Sequence, residues 1–252
     1  MTAGIPPACT SGPARLGLLG GFSLRAGARP LPTPPAGQRL LAYLAVQHDP
    51  VSRAKAAHTL WPDTDDTRAA ACLRSALWRL PLTVPCLVEH PAGALALTAG
   101  VQVDTHELER QAAALASPDP IDPPELPAPR ALCHDLLPDW SDDWLLAHRE
   151  WLRQLRLRTL ERLCVRHREA GALDAALEAA MAAVACEPLR ESAHRLVVTV
   201  HLADGNVSEA LRQYELYRLL LRDELGLTPT PTFRRLLAHV LGRPVDTGDT
   251  SR

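Results

Sequence analysis

The chain has 252 residues, 46% hydrophobic and 22% charged, with a formal net charge of −2. That length holds one large domain or two modest ones with real cores, and the composition is that of an ordinary globular protein. No apolar run approaches the roughly 20 residues that span a membrane, and MTAGIPPACTSGPA has no basic stretch ahead of an apolar block, so it is not a secretory leader. The charge is uneven. Residues 1–103 carry nine Lys or Arg against five acids, a net of +4, and the remainder carries 18 against 24, a net of −6. Two domains with different partners are expected, the basic one suited to nucleic acid.

Residues 1–14 read as a disordered tail. "RLGLLGG" and "FSLRA" then read as two short strands, followed by a Gly/Pro-rich connection. "AGQRLLAYLAVQH" (36–48) has helical spacing, with Leu40, Leu41, Leu44 and Ala45 on one stripe, before Pro50. Ser52 is placed to cap a second helix over "RAKAAHTLW", which stops at Pro62. A third helix, "RAAACLRSALWRL" (68–80), has Thr67 as its expected cap and Pro81 as its stop. "CLVEH" and "ALALT" flank "PAG" and read as a β-hairpin. Strands, three helices and a terminal hairpin are the layout of a winged helix-turn-helix, here residues 15–103.

Beyond Val103 the pattern is wholly helical. "DTHELERQAAALA" reads as one helix capped by Asp104 or Thr105, and "SPDPIDPPELPAPR", with six Pro, cannot be helical. "LLPDWSDDWLLAHREWLRQLRLRTLERLCVRHREAG" holds a long helix with Ser141 as its expected cap, Asp142 and Asp143 in the first turn and Gly171 at its end. Two segments then align at a spacing of 34 residues, Gly171 on Gly205, Ala176 on Ala210 and Leu177 on Leu211. That is the tetratricopeptide period, in which small residues let paired helices approach closely, and such helical arrays bind proteins. The fold class is therefore mainly α: an N-terminal α+β winged helix, then an all-α tetratricopeptide-like domain over 104–242, with 243–252 as a tail.

The third helix holds the chemistry. Cys72, Leu73, Ala76, Leu77 and Leu80 share one arc and form the expected buried stripe. Ala71, Arg74, Ser75 and Trp78 lie opposite, flanked by Arg68 and Arg79. Such an arc is either a solvated basic face or a surface that lies on DNA. Trp78 weighs against the first, because a Trp opposite the buried stripe exposes much apolar area. Small residues beside Arg suit a helix that enters a major groove. The hairpin is either a plain turn or a wing that touches DNA through His90 or the backbone near Gly93.

Catalytic constellations are missing from the sequence. Asp142 and Asp143 are adjacent, so on a helix they point about 100° apart and cannot face each other as an acid/base pair. "AHREW" lacks the second His of a zinc-protease helix, and the only Lys, Lys55, follows Ala54, which excludes a P-loop. The ten His lack metal-ligand spacing. No cofactor, metal or catalytic residue is expected. The six Cys, at 9, 72, 86, 133, 164 and 186, are scattered and read as reduced core thiols of a cytoplasmic protein.

"GQRLLAYLA" (37–45), "LWPD" (60–63), "LRSALWRL" (73–80), "LLPDWSDDWLLAHREWLRQLRL" (136–157) and "YRLLLRDELGLTPTP" (217–231), in that order, resemble the bacterial antibiotic-regulatory-protein (SARP) type of transcriptional activator. Members join an OmpR-type winged helix to a bacterial transcriptional activator domain (BTAD) of tetratricopeptide-like helices. The resemblance implies that residues 68–80 are the recognition helix, with Arg74, Ser75, Trp78 and Arg79 facing DNA and Arg68 beside them. It also implies that Arg53 and Lys55 lie near the DNA backbone and that 87–97, with His90, is the wing. The implied partners are double-stranded promoter DNA and RNA polymerase, with the helical domain supporting a homodimer. One departure is Pro81, where the family often carries a further basic residue. A different class, a helical adaptor whose winged helix no longer reads DNA, is discriminated by Arg74→Ala with Arg79→Ala.

Overall fold

The computed structural model describes residues 13–81, 87–116 and 129–242. The expected tails 1–12 and 243–252, Cys9, Cys86 and the Pro-rich stretch 117–128 lie outside the described residues. The chain forms two compact units. The first takes residues up to Arg110 together with His134–Leu152, and the second takes Gln111–Cys133 and Arg153 onward.

In the first unit, strands β1 (Ala14–Gly17), β2 (Ser23–Ala26), β3 (Arg29–Pro30) and β6 (Gln102–Val103) form one sheet in the order β3-β2-β1-β6. β1 pairs antiparallel to β2, Ala14 opposite Ala26, and parallel to β6, Leu16 opposite Val103. Alternation fixes the faces: Ala14, Leu16, Leu24 and Ala26 are buried while Arg15 and Arg25 are exposed. Three helices follow and pack on one another, α1 (Pro35–Ala45), α2 (Arg53–Leu60) and α3 (Asp66–Trp78), with α1 also meeting the later strand Ala96–Leu97. α1 starts on Pro35, whose fixed φ and missing N–H cost nothing in a first turn. It buries the expected Leu40, Leu41, Leu44 and Ala45. A Cβ on Gly37 would stand 3.1 Å from Leu80 Cδ2, so the absence of a side chain there lets the end of the α3 segment approach α1.

The hairpin of β4 (Val88–Glu89) and β5 (Ala96–Leu97) pairs Val88 with Leu97 and Glu89 with Ala96. Its place is set by Val51, just ahead of α2, which exchanges backbone hydrogen bonds of 2.8 and 2.7 Å with Leu95.

α4 (Asp104–Ala116) begins in this unit. The Asp104 carboxylate accepts the amides of Leu18 (2.8 Å), Leu19 (2.9 Å) and Thr105 (2.8 Å), which ties the end of β1 to the start of α4. Residues 134–152 fold against the same unit. Leu136 bridges Leu19, the Leu137 amide donates to Leu18 O at 2.9 Å, Phe22 stacks on Trp140 and Tyr43 meets Trp144 edge-on. Arg39 pairs with Asp142, and Arg149 donates to the carbonyls of Leu136, Leu137 and Trp140. This grip explains one difference from the sequence reading. Helix α5 (Trp144–Glu169) starts at Trp144 rather than after Ser141, because the Asp142 carboxylate is taken by Arg39 and the Trp144 indole, while the Asp142 and Asp143 carbonyls accept the amides of Leu145 and Leu146.

The second unit contains the rest of α5, then α6 (Leu173–Cys186), α7 (Glu191–Ala203), α8 (Val207–Leu225) and α9 (Pro231–Leu241). The 34-residue repeat is real in three dimensions. Gly171 (φ 75°) and Gly205 (φ 77°) end α5 and α7 in the left-handed region that glycine tolerates. The Ala172 amide reaches His167 O at 2.9 Å, and the Asn206 amide reaches His201 O at 2.8 Å, the same closure one repeat later. Ala176 and Ala210 are fully buried and begin the two cores. One joins Leu163, Cys164, Ala180 and Val197, the other Tyr214, Tyr217, Phe233 and Leu237. α8 is 19 residues long against 14 for α6.

Candidate nucleic-acid interface

α2 and α3 build the site from local signals. Ser52 caps α2 by accepting the Lys55 amide at 3.2 Å, as expected. α3 differs from expectation at both ends. Its cap is Asp65, which accepts the Arg68 amide at 2.9 Å, so Thr67 lies inside the helix. Capping from Asp65 also places Asp66 in the first turn, where the helix dipole favours an acid. The helix ends at Trp78, two residues short of Leu80. Pro81 disfavours helical backbone at the residue before it, and Arg79 closes the last turn by donating to Ser75 O at 3.1 Å.

Ala69, Leu73 and Ala76 are buried and set the rotation of α3, with Cys72, Leu77 and Leu80 half-buried at the edges of that stripe. The opposite face carries exposed Ala71, Arg74 and Trp78, half-buried Ser75, and exposed Arg68 and Arg79 at its two ends. Trp78 is 82% exposed. Arg68 and Arg79 stand eleven residues apart, about 16 Å along a helical axis.

Of the residues singled out from sequence, the structure brings several together. Arg53, Lys55 and Arg74 line one groove of about 660 Å³ between α2 and α3, floored by Ala57, Ala69 and Leu73. His58, exposed on α2, lines the same groove and went unnoticed in the sequence; its spacing of three from Lys55, one helical turn, is the signal that would have found it. An Arg53 guanidinium nitrogen stands 3.4 Å from Nδ1 of exposed His90, which leads into the 91–93 turn of the hairpin. Ala92 takes φ 48° at the tip, with Gly93 at φ 84°. Arg68, Ser75, Trp78 and Arg79 are not lining residues of that groove. Among the described residues no group of His, Cys, Asp or Glu is arranged to hold a metal ion, and no helix is long and apolar enough to cross a membrane.

A winged helix-turn-helix ahead of tetratricopeptide-like helices is the architecture of a bacterial transcription regulator. Residues 132–241 match the family described as "Bacterial transcriptional activator domain". No curated protein matches the sequence. In fold the chain is similar to Mycobacterium tuberculosis EmbR, solved in complex with a low affinity phosphopeptide, with a TM-score of 0.60 and 20% identity over 92% of this chain. The match covers 66% of the EmbR chain, and at that identity the likeness is one of fold. The domain match and the shared architecture bear out the resemblance to SARP-type transcriptional activators.

Proposed function

We propose that this protein is a sequence-specific DNA-binding activator of transcription, with α3 entering the major groove and the 88–97 hairpin lying on the adjacent backbone. The observation that carries this reading is the outward face of α3: Arg74, Trp78 and Arg79 project away from the buried stripe, and Trp78, at 82% exposure, has no core role. Arg53, Lys55 and His90 flank that face and supply phosphate contacts, which carry affinity while base-edge contacts carry specificity.

The helical domain supplies protein contacts, with a second copy and with RNA polymerase. Leu216 and Leu219, one turn apart on α8, and Leu225 and Leu227 just beyond are 39–56% exposed, more apolar surface than a solvated helix needs. Such a protein works in the cytoplasm, where promoter DNA is. Gel-shift titration against promoters neighbouring its own gene, with random DNA as competitor at physiological salt, tests the reading. A measurable preference for one promoter supports it, and equal affinity for random DNA overturns it.

A further inference from the structure

Among the described residues the cysteines, read from spacing as reduced core thiols, divide sharply in the structure. Cys164 fits that reading: it is fully buried, and burial, with the nearby Glu161 charge and against that of Arg168, pushes its thiol up to about 11, so it stays protonated and unreactive. Cys133 and Cys186 do not. They are 53 residues apart in sequence, yet their sulfurs stand 2.8 Å from each other, with the Cys186 thiol donating to the Cys133 sulfur. That lies between a hydrogen-bonded thiol pair and the roughly 2.05 Å of a formed disulfide.

Both belong to the second unit. Cys133 closes the short turn Pro129–Cys133, and Cys186 is the last residue of α6. The Cys133 thiol is aimed at the carbonyls of Ala182 (3.6 Å), one turn back on α6, and Pro129 (3.7 Å), so the turn is already seated on that helix. Both residues are half-buried, which leaves a route for a small reagent that Cys164 lacks.

We propose that Cys133 and Cys186 form a reversible disulfide, a redox modification site inside the activator domain, with a low-molecular-weight disulfide as the oxidant. One protein thiolate attacks a sulfur of the small disulfide. A mixed disulfide forms, and the first small thiol leaves with a proton. The second protein thiolate then attacks the protein sulfur of that mixed disulfide. The Cys133–Cys186 bond forms, the mixed bond breaks, and the second small thiol leaves. Two protein thiols are oxidised, one small disulfide is reduced to two thiols, and a small dithiol reverses the reaction. The bond fastens the turn before residue 134 covalently to the end of α6.

The test equilibrates the full-length protein in buffers of reduced and oxidised glutathione, quenches it with an alkylating reagent and maps it by mass spectrometry after tryptic digestion. The expected result is one intramolecular link between the peptides 131–149 and 169–190, lost on treatment with dithiothreitol. Cys133→Ser or Cys186→Ser abolishes the link, and Cys164→Ser leaves it intact. The oxidised wild-type protein also melts at a higher temperature than the reduced one, a shift both single variants lose. Separate glutathione adducts on 133 and 186, two unmodified thiols in folded protein across the whole glutathione series, or links made instead through Cys9, Cys72 or Cys86 each overturn the proposal.

Discussion

Arg53 of α2 and His90 at the hairpin lie 37 residues apart in sequence and within 3.4 Å in space, an exposed contact between guanidinium and imidazole. With the Val51–Leu95 bridge beneath it, this contact joins the hairpin to the helix that precedes α3. In the proposed complex the pair makes one phosphate-binding corner. Arg53→Ala is expected to weaken binding uniformly across sequences and to lower the slope of log affinity against log salt by about 1. Salt-titrated fluorescence anisotropy on specific and random duplexes reads both. A change in sequence preference with an unaltered slope would contradict the assignment.

Trp78 separates stability from recognition. At 82% exposure its replacement by Ala should change unfolding free energy by no more than about 0.5 kcal/mol. Promoter binding should fall clearly. Arg74→Ala and Arg79→Ala should each cost about 1–3 kcal/mol of specific binding with the fold intact, if they read base edges. Urea unfolding beside gel-shift titration gives the two numbers independently. Intact promoter binding after Arg74→Ala with Arg79→Ala would contradict the assignment of α3 as the DNA-reading helix.

The cap of α3 is Asp65, and Asp65→Ala should destabilise the first unit by about 1 kcal/mol. Thr67→Ala, at the position the sequence pointed to, should cost much less. Chemical denaturation of the two variants side by side distinguishes them, and equal losses would be inconsistent with the Asp65 cap.

His194 is buried to 3% exposure, with Nε2 placed to donate to Pro188 O at 2.8 Å and Nδ1 to accept from the Gln213 amide at 2.8 Å, and it lies against the Tyr217 ring at 4.4 Å. Burial pulls its imidazole below the ordinary value of 6.5, against the hydrogen bond to Pro188, which acts the other way. A lowered folded value means that its contribution to stability is fully present above 6.5 and is lost as the pH falls through the lowered value. Half-buried His148 of the first unit shifts in the same direction, through burial and then the charge of His48. The melting temperature should therefore drop on acidification below 6.5. His194→Gln should be less stable at neutral pH and show a shallower drop, as followed by circular dichroism.

Ala210, with no exposed surface, sits where α8 meets its neighbours beside Tyr214 and Phe233. Ala210→Leu should cost about 1–3 kcal/mol by overpacking. Ala176→Leu, its counterpart one repeat earlier, should cost a similar amount. Full stability in either variant would remove the close-packed role from that alanine.

Much of this protein was legible in its residues taken in order. The short runs "RLGLLGG" and "FSLRA" ahead of a Gly/Pro-rich connection placed β1 and β2, the stripe of Leu40, Leu41 and Leu44 placed α1, and Ser52 placed the start of α2. Gly171 with Gly205 and Ala176 with Ala210 exposed the helical repeat. Each of these signals is local, because backbone geometry and burial act over a few residues. The outward face of α3 was legible for the same reason, once Ala69, Leu73 and Ala76 fixed its rotation.

Tertiary structure alone decided the rest. The choice of Asp65 over Thr67 depended on which of three adjacent capping residues the incoming chain could orient. Residues 134–152 fold with the first unit because Arg39 reaches Asp142 across 103 positions and Leu136 bridges Leu19. The corner of Arg53 and His90, and the sulfur pair of Cys133 and Cys186, are contacts between distant residues that leave no trace in local spacing. Sequence order fixes what each element is, and packing in three dimensions fixes which side chains meet.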